Sequence, residues 1–90
     1  MTVVVEGASG EGRSWVGRYH ETSESGLVLH DVAVYDPATA GLPRAEWVAK
    51  QRRFGVRIDA RRLTVPRSEV GVITRLQEWT EGPIPPSGSP

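Results

Sequence analysis

The chain has 90 residues, 11 basic against 11 acidic, and no cysteine, which excludes disulfides, thiolate chemistry and thiolate metal sites. One domain is expected at this length, near the lower limit of what folds alone. No apolar run approaches the roughly 20 residues of a membrane span and no signal-peptide pattern opens the chain, so a soluble cytoplasmic protein without membrane contact is expected.

Valine-rich residues 3–6 predict a first strand, closed by Gly7. Residues 7–14 then read GASGEGRS, which matches the phosphate loop G-x-x-x-x-G-K-[ST] except that Arg13 stands in place of lysine. Arginine is not an equivalent point charge. The residues that follow, 15–20, alternate with a period of two, as a strand does, where a phosphate loop would start a helix. The glycines at 7, 10 and 12 are therefore expected to turn a corner between two strands, without binding a nucleotide.

Residues 21–26 (ETSESG) form a polar hairpin loop, and residues 27–35 (LVLHDVAVY) form a long strand. Leu27, Leu29 and Ala33 fall on one side of that strand and Val28, Val32 and Val34 on the other. With both sides apolar, it is expected to bend and to be shared between two layers of a barrel. Asp36-Pro37 ends it. A long connection runs on to Phe54, and there the signals divide. Pro43 at a helix start, Gly55 past its end, and Arg52 and Arg53 at the negative end of the dipole favour a short helix. The poor apolar spacing of Trp47, Val48 and Phe54 favours an extended excursion.

Residues 56–59 and 63–66 read as short strands, with a turn or bulge over 59–62 and Pro66 confining the second to an edge. Residues 70–76 (VGVITRL) form the last strand, with Trp79 near its end. Five strands joined mostly by short turns make a small all-β barrel spanning residues 1–79, with a disordered Pro/Gly/Ser tail at 80–90. Its expected core is Val4, Val16, Leu27, Leu29, Val32, Ile58, Leu63, Val65, Val72, Ile73 and Leu76.

Two stretches carry a family resemblance. Residues 16–32, VGRYHETSESGLVLHDV, resemble the first Sm motif, in which a glycine-led strand turns through a polar loop into an apolar strand. Residues 63–73, LTVPRSEVGVI, resemble the shorter second motif, a strand, a tight turn and a strand again. The chain thus resembles the Sm-like family. The resemblance implies a strongly bent five-stranded barrel, here with the long connection between strands 3 and 4. It also implies rings in which strand 4 of one subunit pairs with strand 5 of the next, and which usually bind RNA. Pro66, Arg67 and Glu69 stand where the family has arginine, glycine and asparagine, so its base-reading chemistry is not carried over.

No catalytic set stands out. His20 and His30 are the only imidazoles, each alternating with apolar neighbours on a strand, and Glu21 and Glu24 sit in a solvated hairpin. Neither enzymatic activity, a cofactor nor a metal is expected. The leading expectation is an Sm-like interaction module that self-associates or binds a protein partner through strand edges at Leu63, Val65, Val70 and Val72. The alternative is RNA or other nucleic-acid binding by Arg52, Arg53, Arg57, Arg61, Arg62 and Arg67. The charge distribution bears on both: residues 1–43 hold two basic and six acidic groups, whereas residues 44–75 hold nine basic and three acidic.

Overall fold

A computed structural model of the chain describes residues 1–8 and 12–79; the expected tail at 80–90 and the middle of the glycine-rich loop lie outside these residues. Strands β1 (Thr2–Gly7), β2 (Ser14–Thr22), β3 (Gly26–Tyr35), β4 (Ala60–Pro66) and β5 (Val70–Arg75) make one antiparallel sheet in the order β4-β3-β2-β1-β5. Helices α1 (Pro37–Ala40) and α2 (Arg44–Phe54) fill the connection between β3 and β4. The all-β expectation holds as this five-stranded sheet. It remains open, with no ladder joining β4 to β5.

The open sheet is nonetheless curled. A flat sheet of five strands would place its outer strands about 19 Å apart at the usual strand spacing. Only a one-turn 3-10 helix, Arg67–Glu69, joins β4 to β5. The four steps from Pro66 to Val70 reach about 14 Å at full extension. The end strands therefore approach one another where the turn joins them.

Curling gives the sheet two apolar faces. Val3, Val5, Trp15, Leu27, Leu29, Val32 and Val65 are buried together on one side, with Leu63 and Val70 packed against them. Val4 and Val16, cross-strand partners on β1 and β2, pack on the other side with Val48 of α2 and with Trp79. Burial alternates along β1 between the two clusters, so Val3, Val4 and Val5 are all covered. This is why the first strand reads as an unbroken valine run.

Strand β3 bends at Asp31, the one non-glycine residue with positive φ among those described (52°). The pairing of β2 with β3 shifts there by a residue, Val16 facing Ala33 and Arg18 facing His30. The bend corrects the expected parity. Val32 joins Leu27 and Leu29 in one cluster, where strict alternation would have placed it opposite them.

The connection is helical. Pro43 precedes α2, Gly55 (φ 96°) follows it, and Arg52 and Arg53 lie in its last turn. Only Val48 and Gln51 of α2 are buried, which explains the weak apolar spacing. Helix α1 was not anticipated from the sequence. Its signal is Asp36, whose Oδ1 accepts a hydrogen bond from the Ala38 N–H at 3.0 Å, followed by Pro37 in the first turn.

Other local expectations change. Residues 55–58 form no strand, and β4 starts at Ala60, with Arg61 and Arg62 inside a regular ladder instead of in a bulge. Asp59 prolongs that ladder: its N–H donates to Val32 O at 2.7 Å, and its Oδ2 accepts from the Val34 N–H at 2.9 Å. Ile58, Val72 and Ile73, expected in the core, are exposed (43%, 60% and 46%). Ile58 precedes the sheet, and Val72 and Ile73 lie on an end strand with a partner on one side only.

Candidate interaction edges and charged surfaces

The glycine-rich loop is a hairpin connection. Glu6 of β1 faces Ser14 of β2, and the Gly7 N–H donates to Arg13 O at 2.8 Å. Ser14 begins a strand, where a phosphate loop would start a helix. The buried Ser14 hydroxyl accepts a long bond from Arg44 of α2 (3.4 Å), and Arg44 also pairs with Glu6 at 3.6 Å. Arg44 thereby ties the helix to the base of this hairpin.

Two strands present an unpaired side. Among the described residues, strand β4, seven residues long, pairs with β3 alone, and β5, six residues long, pairs with β1 alone. The four edge candidates differ in what they offer. Val65 is buried and Leu63 and Val70 pack against the same cluster, so their side chains are committed inside. A neighbour could take only their backbone groups. Val72 alone presents its side chain, and Ile73 beside it is also exposed.

The six candidate arginines do not gather on one surface. Arg52 and Arg53 stand at the end of α2, where a groove along the helix also takes in Phe54 and Trp79. Arg52 donates to Trp79 O at 2.7 Å, and the Arg53 guanidinium lies 5.7 Å from the Phe54 ring centre. Arg57 lines a separate recess of ≈ 480 Å³ with Trp47, Lys50 and Asp59. Arg61 and Arg62 belong to β4, and Arg67 belongs to the turn before β5.

A cluster on β2, β3 and β4 was not anticipated. Arg18, His30 and Arg62 are successive cross-strand partners. The His20 and His30 rings stack with centroids 4.3 Å apart and planes at 18°. Asp31 Oδ2 accepts from Arg18 at 2.7 Å and its Oδ1 from Arg61 at 3.4 Å. The Arg18 hydrogen bond, supported by the charges of Arg18 and Arg61 and opposed by desolvation, holds the Asp31 carboxyl below the usual aspartate range. The stack depends on the irregular pairing after Tyr19, which alternation alone does not reveal.

No group of three or more potential metal ligands occurs among the described residues, and no helix among them is long and apolar enough to cross a membrane. No protein-family model, curated protein or solved structure matches the chain.

Proposed function

We propose that the chain is a divergent Sm-like module that acts by association, pairing β4 of one copy with β5 of the next and so extending the curled sheet between subunits. The observation that carries this reading is the sheet order, which leaves β4 and β5 each with one open side. Open strand sides offer unpaired N–H and C=O groups, which edge-to-edge pairing satisfies. Their near-equal lengths suit a continuous ladder, and Val72 and Ile73 supply apolar surface for a small domain to bury. Nucleic-acid binding by all six arginines has less support, because they are dispersed over α2, residue 57, β4 and the turn before β5.

Light scattering tests the reading. The native chain is expected to be an oligomer at micromolar concentration, and Val72→Pro a smaller species, since proline removes a ladder donor. Val72→Lys places a charge on an exposed side chain, keeping the monomer folded while opposing edge pairing. A native chain that is monomeric throughout, or a Val72→Lys variant that assembles as the native chain does, removes the proposal.

A further inference from the structure

The histidine pair carries the strongest unassigned chemistry. His30 Nε2 is shut away from solvent and finds no hydrogen-bond partner, an arrangement that native proteins rarely leave without a reason. Asp31 adopts a left-handed backbone, a conformation that costs energy for a non-glycine residue and tends to collect at functional positions. Around these residues the charge is one-sided. Arg18, Arg61 and Arg62 stand against Asp31, and Arg62 has no ion-pair partner among the described residues. The one other charged side chain on β2, β3 and β4 is Glu21, while Glu6 stands at the far end of β1; the amino terminus of Met1 lies beside β2, where the Met1 carbonyl accepts from the Tyr19 N–H.

We propose that this outer patch, Arg18, His20, His30, Arg61 and Arg62, binds a multiply charged phosphate anion and takes up protons as it does so. Guanidinium groups pair with phosphate oxygens; the strand register sets Arg18, His30 and Arg62 in a row across three strands, the His20 ring stacks on His30, and Arg61 reaches the same Asp31 carboxylate as Arg18. Imidazole changes charge between about pH 5 and 8. A bound phosphate would place negative charge beside the stacked His20 and His30 rings, so the anion and the protons favour each other's binding, reciprocally. The site does not depend on edge pairing, so it stands whether or not the chain assembles.

Calorimetric titration of the full chain with inorganic tripolyphosphate, in buffers of different ionisation heat, reads both affinity and proton uptake. Once the anion's own protonation between these pH values is subtracted, the expected result is saturable binding with net proton uptake by the protein, about tenfold tighter at about pH 5 than at about pH 8. The imidazole proton resonances of both histidines should shift on addition. His20→Gln, at an exposed position, should keep the native circular dichroism while losing part of the uptake and flattening the pH dependence. Arg62→Gln should weaken binding at both pH values and leave the uptake per bound anion unchanged. No saturable binding at about pH 5 would overturn the proposal. So would binding whose uptake and pH dependence are unaltered in His20→Gln, with imidazole resonances that do not move, because arginines alone would then account for it.

Discussion

Gly17 stands directly against Val32: a Cβ placed on Gly17 would come within 3.1 Å of Val32 Cγ2 and 3.2 Å of the His30 carbonyl oxygen. The extra residue that β3 inserts beside Asp31 needs this space, and a hydrogen at position 17 provides it. Gly17→Ala is therefore expected to push β2 and β3 apart at the bend. Overpacking of this kind costs about 1–3 kcal/mol. Thermal unfolding should show a lower midpoint. An unchanged midpoint would mean that β3 shifts freely at the bend.

Leu29 is fully buried between Tyr19 on β2 and Leu63 on β4, in the cluster that lines the inside of the curl. Truncation to alanine is expected to cost about 2–5 kcal/mol, a large part of what a domain this small has. The urea midpoint of Leu29→Ala checks this, and equality with the native chain would contradict the strand's placement.

Gln51 is buried on α2, and its Oε1 accepts a hydrogen bond from the Arg57 N–H at 2.8 Å. It fixes the chain just after the helix, where no strand ladder is available. Gln51→Leu keeps the bulk and removes the acceptor, at an expected cost of about 1–3 kcal/mol. Hydrogen exchange at the Arg57 amide should accelerate in the variant by more than the global loss of stability explains.

Asp31 links stability to acid. Its folded carboxyl is held below the usual range, chiefly by the hydrogen bond from Arg18. The corresponding stabilisation is thus present above the unfolded pKa of about 3.9 and disappears as pH falls through the folded value. Asn tolerates the left-handed backbone, so Asp31→Asn removes the charge without adding strain. Its urea midpoint is expected to lie below the native one at neutral pH, with the gap closing in strong acid. A gap of the same size at both pH values would show that the two arginine pairs contribute nothing.

Much of the sheet was legible because period-two alternation survives where a strand has a single core face, and an unbroken β-branched run marks a strand covered on both. The valine run of β1, the alternation of β2 and the length of β3 all carried through to strands. Legibility failed where local backbone geometry decides the outcome. One left-handed residue at 31 transfers Val32 to the other face, and that conformation leaves no mark in the pattern of apolar residues. Ile58 looks like core on composition, yet the chain has not rejoined the sheet at that point. The edge strands misled similarly, since Val72 and Ile73 alternate well but have a strand on only one side. The charged cluster was invisible for a related reason: Arg18, His30 and Arg62 are far apart in sequence, and only the pairing register sets them in a row.

The three-residue turn that joins β4 to β5 also restricts symmetry. The two open sides belong to different strands with different residues, so they are not copies of one another. A two-fold dimer made through either strand leaves the other bare on both molecules. Only head-to-tail joining uses both sides of every copy, and such joining ends either as a closed cycle or as a filament. The angle between the first and last strands of the curl decides which, so a substitution that alters curvature, far from either edge, could convert one into the other.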